Sequence, residues 1–486
     1  MPATLGRQRR WRRGAGIVHM LIAGLAGAWL TAPAHATATW PPEVDRALQR
    51  ARVPDSALVV VVQDAASGRN VLSVGARQPV NPASLAKLFT TAAALEQLGP
   101  AWTWATPVWL QGSVRDGVLD GSLHIKGTGD PKLVLERLWL LLRRVQQQGV
   151  REIRGDIVLD NTAFAAGDGG AADFDGESTR PYNVRADALL LSYKAVSYTF
   201  VPDPARGVAQ VLVEPPLAGA QVDRSVPLAT GPCEDWRGAL KASFADPMRT
   251  RFAGSYPAAC GELSWPVADT APATYNARLV EGLWREMGGQ LGGSVREGPA
   301  PAGRPSFEQR SPPLLEVVRE INKFSNNVMA QQLFLTLALQ RDPSRPATPA
   351  AARDGMRRWV AERLGDPGAE LVVDNGSGLS REGRASAHLL ARLLQQAHDS
   401  PWAAELASSL PISGVDGTLR RSRGAVGRAH LKTGSLRDVA GVAGYVLSDS
   451  GKRYVLVAIV NHPQANAARP AIDALVQWVM RDAPVR

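Results

Sequence analysis

Cysteine is scarce in this 486-residue chain, which carries only Cys233 and Cys260. Neither stands in metal-ligand spacing. The seven histidines are scattered without an HExxH-like pair, which disfavours a zinc peptidase. After position 36 there is no basic block with interleaved aromatics, so charge gives no argument for a nucleic-acid partner. No transmembrane candidate follows the first 36 residues either. The leucine-rich stretch Leu133 to Val145 is interrupted by Glu136, Arg137, Arg143 and Arg144. Internal repeats and low-complexity tracts are also missing.

What is present begins with an export signal. Arg7, Arg9, Arg10, Arg12 and Arg13 precede an apolar run from Gly14 to Leu30, and Ala34-His35-Ala36 offers a small-x-small cleavage site. Residues 1–36 therefore read as a secretory signal peptide cut after Ala36, and the protein is expected to be exported, to the periplasm. An uncleaved anchor is the competing reading. The short apolar run and the cleavage site that follows it favour cleavage. Removing the five arginines lowers the formal charge from +10 to +5, a balance suited to an anionic wall polymer or membrane surface. In an oxidising compartment Cys233 and Cys260 read as a disulfide, with two separate buried thiols as the alternative.

The length allows two or three domains. Ala57 to Gln63 and Asn70 to Val74 are β-rich, with turn residues between them, and predict a hairpin. Ser84 to Leu98 predicts a helix closed by Gly99-Pro100. At the other end, Val439 to Leu447 and Arg453 to Asn461 predict strands. A last helix follows, with Ile472, Leu475, Val476 and Val479 on one face. The expected fold is α+β: an antiparallel sheet built from both chain ends, with helices on both faces. Residues 37–100 and 272–486 would form this domain. Residues 101–271, rich in Gly, Pro and short strands, would form one or more inserted β-rich domains.

Three short strings carry chemistry. In Ser84-Leu-Ala-Lys87 a hydroxyl and an amine sit three apart on a helix, so Lys87 can take the proton that makes Ser84 a nucleophile. That requires a lowered lysine pKa, through burial or a nearby cation such as Lys432. In Ser325-Asn-Asn327, Ser325 could relay a proton between Lys87 and a leaving amine, and Asn327 could hold Lys87 and the substrate backbone. In Lys432-Thr433-Gly434-Ser435, a sheet edge offers a cation, hydroxyls and a close backbone approach to a carboxylate. The Ser84 and Ser435 N–H groups could form an oxyanion hole. Each string alone has an ordinary explanation: a helix cap with a solvated lysine, a turn, an edge strand.

Together and in this order the strings resemble the penicillin-recognising serine enzymes, that is, DD-peptidases and serine β-lactamases. The 241-residue gap between Ser84 and Ser325 is far longer than in class A β-lactamases. It is similar to that of the class C low-molecular-mass penicillin-binding proteins, the D-alanyl-D-alanine carboxypeptidase/DD-endopeptidase family. Gly127-Thr-Gly-Asp-Pro131, Ser311-Pro-Pro-Leu314, Gly376-Ser-Gly-Leu-Ser380 and Pro411 to Leu419 fit the same family, from about position 40 to the C terminus. Asn375, where Asp is expected before Gly376, and Tyr193-Lys194, where an asparagine is expected, depart from its pattern.

The resemblance implies a penicillin-recognising transpeptidase-like fold and cleavage of D-Ala–D-Ala bonds in peptidoglycan stem peptides through a Ser84 acyl-enzyme. Lys432, Thr433 and Ser435 would anchor the terminal carboxylate. β-Lactams would acylate the same serine, and no cofactor or metal is implied. Two rivals stand beside it: a β-lactamase with fast deacylation, and a wall-binding scaffold without activity.

Overall fold

The computed structural model describes residues 40–482, except 166, 168 and 169. The expected leader lies outside the described residues. Among these residues no helix is long and apolar enough to cross a membrane.

The chain enters through helix α1 (Pro42–Ala51) and the hairpin β1 (Leu58–Asp64) and β2 (Asn70–Val74). Helix α2 (Lys87–Leu98) follows. The chain returns from its insertion through α3 (Leu314–Phe324), α4 (Asn327–Arg341) and α5 (Ala387–His398). It ends in β3 (Ala429–Leu436), β4 (Val439–Leu447), β5 (Arg453–Asn461) and α6 (Arg469–Met480). The five strands form one antiparallel sheet in the order β2-β1-β5-β4-β3, with Leu58 opposite Val460 and Lys432 opposite Ala443. Both chain ends thus build the sheet.

Its central strands are apolar on both faces because both are covered. Along β1, Leu58, Val60 and Val62 pack against α1 and α6, while Val59 and Val61 pack against α2, α3, α4 and α5. Strand period two therefore sorts a continuous valine run into two cores. This layering leaves β3 as the sheet edge nearest the turn that carries Ser84.

The inserted region has a third core of its own. A seven-stranded sheet uses 105–115, 118–126, 152–153 and 157–160, and it is completed by 290–291, 295–297 and 307–310. A five-stranded sheet from 195 to 268 and a small three-stranded one lie beyond it. The β-rich stretch around Ile153 to Leu159 is divided into two short strands, Glu152–Ile153 and Ile157–Asp160. Between them Gly155 passes so close to strand 118–126 that a Cβ would sit 2.6 Å from the Gly121 carbonyl oxygen.

Residues 272–310, expected in the catalytic part, pack with the inserted core instead. Tyr275, Leu279, Val280, Leu283, Trp284 and Phe307 all bury there. Shared core thus draws the boundary of the insert near 310 rather than 271, because the late strands finish a sheet that residues 105–126 begin.

Cys233 and Cys260 form a disulfide within the insert. Ser192, Tyr193 and Lys194 all take left-handed φ values just before the strand 195–203, and Lys194 Nζ pairs with Asp187 at 2.5 Å. Asp187 in turn donates its N–H to Gln332 of α4 at 2.9 Å. The departure at Tyr193-Lys194 therefore marks a junction between insert and catalytic layers.

Candidate active site

Ser84 lies in a single 3-10 turn, Ala83–Ala86, that runs directly into α2. The turn is held hard. Ala83 adopts φ +46, and its N–H donates to Asn81 Oδ1 at 2.8 Å. Asn81 itself exchanges hydrogen bonds with Asn461 at the end of β5. A non-glycine residue with φ in this region is strained, and such strain persists only where the surroundings enforce it.

One turn on, Lys87 is fully buried, and its Nζ has three acceptors. These are Ser84 Oγ at 2.9 Å, Asn327 Oδ1 at 2.7 Å and the Ser377 carbonyl at 2.6 Å. Burial, and secondarily the charge of Lys432, holds its pKa well below the ordinary lysine value. An amine so placed can exist neutral and accept the Ser84 proton.

Ser325 and Asn327 sit where α3 ends and α4 begins. Ser325 closes α3 in the left-handed region, with φ 57. Asn326 caps α4, its side chain accepting the Met329 N–H at 3.0 Å. The cap is thus the middle residue of the string, which frees Ser325 and Asn327 to bond the two lysines. Asn327 Oδ1 binds Lys87, and its Nδ2 donates to the Tyr182 carbonyl of the insert at 3.4 Å.

Strand β3 supplies the opposite wall. Gly434 is required there, since a Cβ would lie 2.8 Å from the Pro82 carbonyl oxygen beside the Ser84 turn. Lys432 is fully buried and donates to Ser325 Oγ at 2.9 Å and to the Thr433 carbonyl at 2.8 Å. Burial brings its pKa down to about 7. Thr433 Oγ1 lies 2.8 Å from Thr418 Oγ1, and Ser435 Oγ accepts from Arg469 at 2.7 Å.

The structure joins Ser84, Lys87 and Asn327 in one hydrogen-bonded group and Ser325 and Lys432 in another, with Gly434 against the Ser84 turn and Thr433 and Ser435 beside it on β3, and with one change in pairing. The sequence reading has Ser325 relay a proton between Lys87 and the leaving amine, yet its hydrogen bond is with Lys432 Nζ, while Lys87 Nζ bonds Ser84 Oγ. The two lysines divide the two serines between them because Ser325, at the left-handed end of α3, faces β3.

Three contributors escaped the sequence reading. The Ser377 carbonyl is presented to Lys87 by an Asx turn, in which Asn375 Oδ1 accepts the N–H groups of Ser377 and Gly378 at 3.0 and 2.9 Å. The departure at Asn375 shapes that turn. Thr418 and Arg469 bind the hydroxyls of the third string. The Gly376 to Ser380 string signalled the turn, whereas nothing marked Arg469. Among the described residues no cluster of His, Cys, Asp and Glu could hold a metal ion.

Residues 42–482 match the model of the D-Ala-D-Ala carboxypeptidase 3 (S13) family. The D-alanyl-D-alanine carboxypeptidase of Actinomadura sp. (strain R39) is 30% identical over 97% of this chain and 91% of its own length. The D-alanyl-D-alanine carboxypeptidase DacB of Haemophilus influenzae is 26% identical over 78% of this chain and 80% of its own length. The crystal structure of penicillin binding protein 4 (dacB) from Haemophilus influenzae superposes with a TM-score of 0.71 at 23% identity, covering 89% of this chain and 99% of that one. The chain belongs to the D-Ala-D-Ala carboxypeptidase 3 (S13) family.

Proposed function

We propose that this member of the family is an exported serine DD-peptidase that cleaves the D-alanyl–D-alanine bond of peptidoglycan stem peptides and is acylated by β-lactams at Ser84. The observation that carries the reading is the buried Lys87 amine 2.9 Å from Ser84 Oγ, with a second buried amine, Lys432, bonded to Ser325 Oγ.

Neutral Lys87 takes the Ser84 proton as Oγ attacks the penultimate D-alanyl carbonyl. The Ser84 and Ser435 N–H groups receive the negative charge on the carbonyl oxygen. As the C–N bond breaks, Ser325 gives its proton to the leaving amine and is reprotonated by the Lys432 ammonium beside it. The Lys87 ammonium loses its proton to solvent and Lys432 regains one; neutral Lys87 then takes a proton from the attacking water and returns it to Ser84 Oγ as the ester bond breaks, releasing the shortened stem and free Ser84. A free D-alanine leaves in carboxypeptidase action; a second stem leaves when the bond is a cross-link. Export with a cleaved leader would deliver the enzyme to the periplasm, where this polymer is reached.

Purified protein is treated with fluorescent penicillin and, separately, with cross-linked muropeptides analysed by mass spectrometry. Covalent labelling that Ser84→Ala abolishes, together with loss of D-alanine or cross-link cleavage, is the expected result. Rapid repeated turnover of penicillin would make the enzyme a β-lactamase, and absence of labelling would leave a scaffold.

A further inference from the structure

Lys432 is the obvious cation for a substrate carboxylate, yet its geometry points elsewhere. Its Nζ is buried and turned inward, donating to Ser325 Oγ and to the carbonyl of its neighbour Thr433. The groups that β3 offers to solvent are different ones. Thr433 and Ser435, two apart on the strand, point the same way. Thr433 is half-buried and Ser435 exposed. The exposed Thr418 hydroxyl adjoins Thr433 at 2.8 Å, and Arg469 Nη2 donates to Ser435 Oγ at 2.7 Å.

Arg469 is exposed at the first position of α6 and is oriented rather than loose. Asn466 Oδ1 accepts from its Nε at 3.2 Å and from Nη2 at 3.1 Å. Among the described residues Nη1 makes no hydrogen bond, and Arg469 has no ion-paired carboxylate. Asp473, one turn on along α6, senses its charge without forming an ion pair with it. A guanidinium keeps its charge across the working pH range and presents a planar fork matched to a carboxylate.

We infer that Arg469, acting beside Thr433 and Ser435, is the cation that recognises the C-terminal carboxylate of the substrate and the carboxylate of penicillins. It is a specificity-determining residue distinct from the Lys432 that serves Ser325. The inference rests on the acyl-enzyme reading above.

The test compares acylation of the full chain by penicillin G and by its neutral methyl ester, for wild type, Arg469→Ala and Arg469→Lys. The preference for acid over ester should fall roughly tenfold to hundredfold in Arg469→Ala, the range expected for a charged hydrogen bond. Arg469→Lys should recover part of it. Added salt should lower the preference in wild type more than in Arg469→Ala. A merely structural role would depress acid and ester alike, and that result overturns the inference, as does an unchanged preference. A wild type that neither compound acylates removes the acyl-enzyme reading and this one with it. That outcome is distinct from a reactive wild type whose variant loses no preference.

Discussion

Lys323 Nζ lies 2.6 Å from Asp416 Oδ2, and this ion pair ties the last turn of α3, two residues before Ser325, to the loop that touches Thr433. The lysine side chain is 3% exposed and the carboxylate 31%. Burial pushes the Asp416 carboxyl up, but the hydrogen bonds from Lys323 and the Ile412 N–H, with the lysine charge, leave it below the usual range. The next residue, Gly417, has φ +55 and runs against the Lys323 carbonyl, where a Cβ would approach to 2.5 Å. Thr418 then reaches Thr433. The second and third strings are therefore braced against each other by residues outside both.

Asp416→Ala would leave Lys323 buried without a partner. Removing one member of such a pair costs about 3 kcal/mol, because the remaining charge stays desolvated. Urea unfolding should show that loss. Lys323→Met combined with Asp416→Ala should recover part of it, since no orphan charge is left. An Asp416→Ala protein as stable as wild type would mean that the pair contributes nothing.

Gly378 carries a sharper constraint. It follows the residue whose carbonyl binds Lys87, its φ is +73, and a Cβ would lie 1.9 Å from the Ala83 carbonyl oxygen. Gly378→Ala must move the Ser377 turn, the Ser84 turn or both. Acylation by penicillin should fall roughly hundredfold, as expected when a catalytic group is displaced by about an ångström. Gly451→Ala is the control: its φ is +84, but nothing lies within 4 Å of a Cβ there. Equal activity in both variants would separate the turn from catalysis.

Side-chain chemistry at fixed spacing made the three strings readable, and strand-rich runs at both ends disclosed the central sheet. Val439–Leu447 and Arg453–Asn461 match the sequence reading residue for residue because their apolar runs are long and bounded by turn residues. The rest had no such signal. Ser377 acts through its backbone, which every residue shares. Arg469 is one arginine among many, and only the packing of α6 brings it to Ser435. Strands 290–291 and 295–297 are too short for periodicity to register, so the extent of the insert emerged only from its core.

The cystine tests whether that core is energetically separate from the catalytic one. Cys233 and Cys260 are 27 residues apart, and closing such a loop in the unfolded chain contributes about 3.5 kcal/mol in the chain-entropy account. Cys260 packs against the inserted core, whereas Leu85, within the Ser84–Lys87 segment, and Leu88, just after it, bury in the sheet-and-helix core. Replacing both cysteines by serine should lower the thermal stability of the insert. Penicillin acylation measured at 25 °C should stay within about twofold of wild type. A parallel fall in acylation would show that the two cores act as one.

Protonation of the two buried lysines links stability to pH with a definite sign. Lys432 titrates at about 7 when folded, against an ordinary lysine value of 10.5 in the unfolded chain, and Lys87 is shifted the same way. Between those values the unfolded chain binds more protons than the folded one, so stability rises with pH. Below about pH 7 Lys432 is protonated in both states, and its burial opposes folding most strongly. Through the window one such lysine adds a slope of up to about 1.4 kcal/mol per pH unit. Urea unfolding of wild type and Lys432→Met from pH 6.5 to 9.5 should therefore show a steeper rise in wild type. The same variant removes one of the two causes that depress Lys87, so the pKa of Lys87 should move up. The acidic limb of its remaining acylation profile should shift toward higher pH, although burial, the larger cause, is retained. Identical stability slopes for the two proteins would show that Lys432 keeps an ordinary pKa in the fold. The general-acid role given to it through Ser325 would then lose its basis.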